Sequence, residues 1–309
     1  MNNKRVAVMD LGTNTFHLLI AEGSADNFIE IFHTNEGVKL GEGGINKGVI
    51  QPAAFARGVA TMQRFQKHIE ENKVTEVRAI ATSAIRNAGN GADFIREVKE
   101  KTGIQIELIN GEQEAAHIYN GIKASGCLGD DNALIMDIGG GSVEFIIGND
   151  TEVLWKQSFE IGAARLMDKF HQTDPIPVQS IKELTLYLNT KLPELFLAAS
   201  KHKPSILIGS SGAFESFAEV IELEKGKKFD LKKTRVYEFD IDELLDLIER
   251  LIKSTHNQRA NMEGIIPVRV DMIVVASLIT IYMMQKMGLA DVTMSTYSLK
   301  EGVLAQMLG

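Results

Sequence analysis

Hydrophobic and polar positions along this chain follow one distinctive pattern twice. Val6-Ala-Val-Met9 is apolar, Asp10 is acidic, and Leu11 to Thr15 forms a small-residue stretch before the apolar run resumes at Phe16. The second copy runs Leu134-Ile-Met136, Asp137, Ile138 to Ser142, then Val143-Glu-Phe-Ile-Ile147. Asp10 aligns with Asp137, Gly12 with Gly139 and Thr15 with Ser142, without a gap. Each copy predicts a strand, a tight turn and a second strand.

The rest of the pattern alternates between the two periods. Further strands are expected over 27–33, 77–81, 104–109, 155–161, 205–209 and 292–295. Helical spacing is expected over 52–72, 92–102, 112–125, 163–171, 240–254, 269–287 and 299–308, and over 181–200 as one long amphipathic helix with a proline at 193. Residues 38–45 are glycine-rich and turn-like, and 126–132 is rich in Gly and Asp and marks a joint. Strands interleaved with helices predict an α/β architecture. With 309 residues the chain has room for two domains, drawn at 1–125 and 126–298.

Composition narrows the function classes. With 44% hydrophobic and 24% charged residues the chain reads as an ordinary soluble globular protein. A net charge of −8 argues against a general nucleic-acid binder. Cys127 is the single cysteine, which excludes an internal disulfide and a cysteine-rich zinc site and suits a reducing compartment. Lys4-Arg5 leads directly into a strand, so no secretory leader is expected and a cytoplasmic protein is. The longest apolar run, 272–284, is too short to span a bilayer, so no membrane partner is expected.

The duplicated turns carry the candidate chemistry. Gly12, Thr13, Asn14 and Thr15, and then Gly139, Gly140, Gly141 and Ser142, offer backbone N–H groups and hydroxyls that can converge on a phosphate. Asp10 and Asp137 stand at the turn entrances, placed to hold a cation beside it. Glu144 follows the second turn and would face the same Mg²⁺, or another divalent cation, from the neighbouring strand. An isolated Asp at such a place commonly caps its own turn; two equivalent ones favour metal or phosphate work. Two half-sites suggest two similar lobes clamping a phosphate chain. Ser210, Ser211 and Gly212 after the 205–209 strand offer a third anion-binding turn. Lys225, Lys227, Lys228, Lys232, Lys233 and Arg235 cluster in a loop that either guides a polyanion or is simply solvated. His17 reads as structural.

Asp10-Leu-Gly-Thr-Asn-Thr-Phe-His17 and Asp137-Ile-Gly-Gly-Gly-Ser-Val-Glu144 resemble the two phosphate loops of the exopolyphosphatase / guanosine pentaphosphate phosphohydrolase (Ppx/GppA) family. The resemblance continues in order through Thr82-Ser-Ala-Ile-Arg86, Gly111-Glu-Gln-Glu114, Ile161-Gly-Ala-Ala-Arg-Leu166, Gly209-Ser-Ser-Gly212, Arg269-Val-Asp271 and Leu299-Lys-Glu-Gly302, and so covers nearly the whole chain. It implies two ribonuclease-H-like lobes of the actin-like ATPase superfamily with an interdomain cleft, and a C-terminal helix over 299–309 packed on the first lobe. It implies Glu114 as the base that activates water and Arg86 as a bidentate phosphate ligand. Read by itself, Glu114 merely suits a helix N-terminus, and Arg86 a surface ion pair.

Four positions depart from the family pattern: Gln113 for a common Glu, Ala213 for Thr, Ser298 for Gly and Lys300 for Arg. No His-Asp dipeptide of the long members occurs, so the chain resembles the short, two-lobe class. The expected activity is release of terminal orthophosphate from inorganic polyphosphate, favouring short chains. Guanosine pentaphosphate 5′-hydrolysis is the alternative substrate reading. A non-hydrolytic nucleotide-binding regulator of the same superfamily, or a sugar or acetate kinase, shares the phosphate loops. The pattern says nothing of oligomeric state.

Overall fold

The computed structural model describes residues 4–25 and 27–309. The chain divides into two compact units, Met1–Ala124 with Leu299–Gly309, and Ser125–Ser298. No helix among the described residues is long and apolar enough to cross a membrane.

The first unit begins with β1 (Arg5–Leu11), β2 (Phe16–Ser24) and β3 (Asn27–Glu36), an antiparallel meander. Then come α1 (Pro52–Glu71), β4 (Glu76–Ala81), the single turn α2 (Ser83–Arg86), α3 (Gly91–Thr102), β5 (Ile106–Leu108) and α4 (Gly111–Ser125). The sheet order is β3-β2-β1-β4-β5, with β4 parallel to both β1 and β5. The apolar run of β1 is fully buried, as a central strand covered on both faces requires. Against it pack the buried residues of α1, including Val59, Met62 and Phe65, and those of α3, Phe94 and Val98.

The second unit repeats the plan. It contains β6 (Ala133–Ile138), β7 (Val143–Gly148), β8 (Val153–Phe159), α5 (Ala163–Phe170), α6 (Val178–Lys191), α7 (Pro193–His202), β9 (Ile206–Ser210) and α8 (Gly212–Glu224). It is completed by β10 (Val236–Glu238), α9 (Ile241–Lys253), α10 (His256–Ala260), α11 (Ile273–Met287) and β11 (Asp291–Ser295). Its sheet runs β10-β11-β9-β6-β7-β8. Without the edge strand β10, the order is that of the first sheet. Both are mixed sheets of the ribonuclease-H-like order, as the resemblance implied.

Several elements differ from the sequence reading. The single helix expected over 181–200 is two, because Pro193 lacks the N–H that a continuous helix needs and instead opens α7 at its first turn. The helix expected from 269 starts at Ile273, after two turns. The strand expected over 104–109 narrows to Ile106–Leu108. α8, β10 and α10 were not anticipated.

The last helix, α12 (Leu299–Leu308), lies on β1 and β2 in the first unit. It also crosses α4 at very close range. A Cβ on Gly302 would stand 1.9 Å from the His117 carbonyl oxygen and 2.9 Å from the Gly121 nitrogen. Two helix backbones touch there, and only the missing side chain allows it. Gly302→Ala is therefore expected to destabilise the protein by about 1–3 kcal/mol. Urea-induced unfolding of the variant beside the parent checks this, and an unchanged midpoint would contradict the close approach.

Candidate active site

Parallel register brings the chemistry of the first unit to one edge. Leu11 pairs with Ala81 and Ala81 with Leu108, so β1, β4 and β5 end side by side. Beyond these three ends lie the 12–15 turn, the Thr82–Arg86 segment and the start of α4. In open α/β sheets this carboxyl edge is where ligands bind.

The 12–15 turn closes with Gly12 N donating to Thr15 O at 3.1 Å. Its carbonyls are taken from behind by the glycine-rich 38–45 segment: Gly41 N donates to Thr13 O at 3.1 Å and Lys39 N to Asn14 O at 2.8 Å. Thr13 is buried, while Gly12, Asn14 and Thr15 are partly open.

Glu114 lies on the first turn of α4, which carries a reciprocal cap. Asn110 N donates to Gln113 Oε1 and Gln113 N to Asn110 Oδ1, each at 2.9 Å. The Gln at 113, which departs from the family pattern, therefore serves as the cap partner, a place that accepts Glu or Gln alike. Glu114 Oε2 meets Arg86 Nη1 at 2.8 Å, and the same nitrogen donates to Ile109 O at 3.1 Å. The two side chains are 8% and 16% exposed, so this is a largely desolvated ion pair in which removing either partner strands a charge. Arg86 and Glu114, assigned separate roles by the resemblance, are thus brought into direct contact.

In the second unit, strand pairing aligns one row across all six strands, polar on all but the edge strand β10. Ser158 pairs with Glu144, Glu144 with Asp137, Asp137 with Ser210, Ser210 with Ser295 and Ser295 with Val236. Paired residues share a face, and hydroxyls of the row reach its acids. Ser158 Oγ donates to Glu144 Oε1 at 2.6 Å and Ser210 Oγ to Asp137 Oδ2 at 2.7 Å. Ser298 Oγ reaches that same Asp137 oxygen at 2.5 Å. Neither partner of Asp137 was expected in this place: Ser210 was read only as part of an anion-binding turn, and Ser298 stood out only as a departure from Gly.

The 139–142 turn is held from behind by α5. Ala163 N donates to Gly139 O and Ala164 N to Gly140 O, both at 2.9 Å, while Arg165 N reaches Gly140 O and Gly162 N reaches Gly141 O at 3.2 Å. The first amides of α5, which lack helical partners, are satisfied by the turn. Arg165 reinforces it, with Nε on Gly141 O at 3.1 Å and Nη2 on Glu160 Oε2 at 2.8 Å. A Cβ on Gly162 would stand 2.5 Å from the Gly140 and Gly141 backbone. In the sequence α5 shows as the Ile161-Gly-Ala-Ala-Arg-Leu166 motif, whose contact with the turn depends on the fold.

At the third turn, Ser211 holds φ 76° and its Oγ donates to Ile138 O at 3.3 Å. Gly212 opens α8 beneath the guanidinium of Arg269, whose Nε would stand 2.4 Å from a Cβ there. Arg269 pairs with Glu215 at 2.5 Å and donates to Ser216 Oγ at 3.2 Å. Nearby, burial first and the charges of Glu215 and Glu263 second raise the Glu219 carboxyl above its usual range, while Arg269 opposes them.

Among the described residues no group of three or more His, Cys, Asp or Glu is gathered to hold a metal. The Asp137–Glu144 pair still suits a hard divalent cation, since Mg²⁺ commonly takes one or two carboxylates and completes its shell with water and substrate phosphate. Asp10 differs from Asp137 in having His17, not a second acid, opposite it.

Comparison with known proteins supports one family. The model of the Ppx/GppA phosphatase family matches residues 19–309. The chain is similar to Exopolyphosphatase 1 of Mycobacterium leprae, at 26% identity over 98% of this chain and 89% of the relative. It is similar to the crystal structure of an exopolyphosphatase from Cytophaga hutchinsonii, with TM-score 0.95, 40% identity and coverage of 98% and 97%. The structure of a Ppx/GppA family member from Aquifex aeolicus shares the fold, with TM-score 0.80, 24% identity and coverage of 98% and 97%.

Gly162→Ala is expected to push α5 off the 139–142 turn, costing about 1–3 kcal/mol and distorting the turn. Thermal unfolding and turnover, measured together, check this; a variant unchanged in both would show that α5 does not hold the turn.

Proposed function

The chain belongs to the Ppx/GppA phosphatase family, and we propose that it is an exopolyphosphatase that releases terminal orthophosphate from inorganic polyphosphate, with a preference for short chains. The observation that carries the reading is the buried Glu114–Arg86 pair at the same sheet edge as the 12–15 turn. Hydrolysis of a phosphoanhydride needs an oriented water, a group to take its proton, and donors for the phosphoryl oxygens. Glu114 takes the proton as the water oxygen bonds to the terminal phosphorus, and the bridging P–O bond breaks toward the shortened chain. Arg86 holds the Glu114 carboxylate in place, and a guanidinium at this edge suits phosphoryl oxygen.

The 12–15 and 139–142 turns, with Ser211 and Gly212, supply further N–H and hydroxyl donors. Such donors are already oriented when charge builds up, which is the main source of their catalytic effect. Asp137 and Glu144, with Asp10 as a further candidate, would hold Mg²⁺, which when bound neutralises phosphoryl charge. Hydroxyls from Ser210 and Ser298 fix one Asp137 oxygen. Guanosine pentaphosphate ends in the same anhydride and is the competing substrate.

Phosphate release from tripolyphosphate, long polyphosphate and guanosine pentaphosphate, each with and without Mg²⁺, separates the readings. Glu114→Ala is expected to lower kcat by about 10²–10⁴-fold with binding retained; a near-parental kcat would remove Glu114 from the mechanism. Release from none of the three, with nucleotide binding kept, would favour a regulator. Asp137→Ala is expected to raise the Mg²⁺ concentration needed for half-maximal activity. An unchanged requirement in a metal titration would make Asp137 a turn cap.

A further inference from the structure

We infer that the 225–235 segment is a distal subsite for the unreacted end of a phosphate chain, reached along the carboxyl edge of the second sheet. The inference rests on the polyphosphate reading and names how that substrate is gripped.

The segment is built, and its cations fall into two sets. Phe229 and Leu231 pack against the core, and Phe229 stacks edge-on against Tyr237 with centroids 5.4 Å apart. On either side of them, Lys228 and Lys232 are exposed to solvent. Asp230 shapes the next turn, with Oδ1 accepting from Lys232 N at 3.0 Å and its carbonyl from Lys233 N and Thr234 N at 3.0 and 3.1 Å. Three of the lysines are neutralised locally: Lys225 and Lys227 by Glu222 at 3.1 and 3.2 Å, and Lys233 by Asp230 at 3.5 Å. Lys228, Lys232 and Arg235 are exposed and engage no carboxylate among the described residues.

Arg235 links this set to the site. Its guanidinium lies over the Tyr297 ring, 5.4 Å from the centroid, and its carbonyl accepts from Thr296 N at 3.1 Å. Thr296 Oγ1 donates to Thr234 O at 2.8 Å. The residue after Tyr297 is Ser298, whose hydroxyl is on Asp137. One short stretch, 295–298, therefore touches both the candidate cation carboxylate and Arg235.

Sheet geometry sets the distance. Val236, Ser295, Ser210 and Asp137 occupy one row over four adjacent strands, so Arg235 sits roughly 14 Å from Asp137 at the usual strand spacing. A chain of a few phosphates spans that gap, passing the Ser211–Gly212 turn and Arg269. Affinity should rise with chain length up to that reach and then level off, so phosphates beyond it add nothing further.

The test compares two charge-matched variants, Lys228→Gln/Lys232→Gln and Lys227→Gln/Lys233→Gln, on tripolyphosphate and on a long polyphosphate. The first is expected to lower the ratio of kcat/KM on the long substrate to that on the short one by about fivefold, through KM. The second, which removes cations already paired, leaves the ratio as in the parent. Arg235→Gln should lower it as well. Equal ratios in both doubles would overturn the subsite. Calorimetric titration with long polyphosphate in metal-free buffer gives a readout independent of turnover. If the parent hydrolyses neither substrate, the proposed function falls, and selective weakening of this binding in the first double still supports the subsite. Equal binding by both doubles overturns it.

Discussion

The direction of a few peptide groups governs what the two duplicated turns present to their open side. A planar trans peptide points its C=O and N–H to opposite sides, so whatever captures the carbonyls of a turn decides where its amides face. In the second unit the captors are the first amides of α5, bonded to Gly139, Gly140 and Gly141. In the first unit Lys39 and Gly41 do the same for Asn14 and Thr13. In the second unit the bonds that satisfy the first helical N–H groups also turn the carbonyl oxygens away from the open side of the turn. Gly162 allows the contact because a helix N-terminus can lie directly on turn backbone only where no side chain intervenes.

The two halves share this frame but have diverged in the row beside it. Asp10 faces His17 where Asp137 faces Glu144. A neighbouring Ile80 stands where the second half has Ser210. The second half therefore concentrates carboxylates and the hydroxyls that orient them, and the first half supplies a carboxylate paired with a guanidinium. A duplicated scaffold has kept its turns and divided the remaining chemistry between its copies.

Much of this was legible in the residues. The duplicated hairpin fixes the turn residues, and the ungapped alignment of Asp10 with Asp137 predicts their matching register. Helices with one apolar stripe, such as α1 and α9, announce themselves by spacing. α8 is less plain: Phe214, Phe217, Ala218, Val220, Ile221, Ser216 and even Glu222 are buried, so only a narrow polar stripe at Glu215 and Glu219 marks it as a helix in sequence. α6 and α7 were merged because their apolar spacing continues through Pro193 while the hydrogen bonding does not. In the site, the Asp137 hydroxyl partners were out of reach of sequence: Ser210 and Ser298 lie far from Asp137 along the chain, and only sheet order makes them neighbours. Likewise the basic loop cannot be sorted into neutralised and free lysines until Glu222 and Asp230 are placed.

The return of α12 to β1 and β2 has a consequence for how the protein comes into being. Lys4 Nζ donates to Met307 O at 3.1 Å across 303 residues of sequence, so the first unit is closed by a segment translated after the whole second unit. At ordinary synthesis rates the ribosome needs on the order of ten seconds to make the intervening second unit. Throughout that interval the apolar surface on β1 and β2 that α12 will cover has no partner from its own chain. The second unit, being continuous, can fold while the first still waits. The first unit thus completes its own fold only after the second has been made.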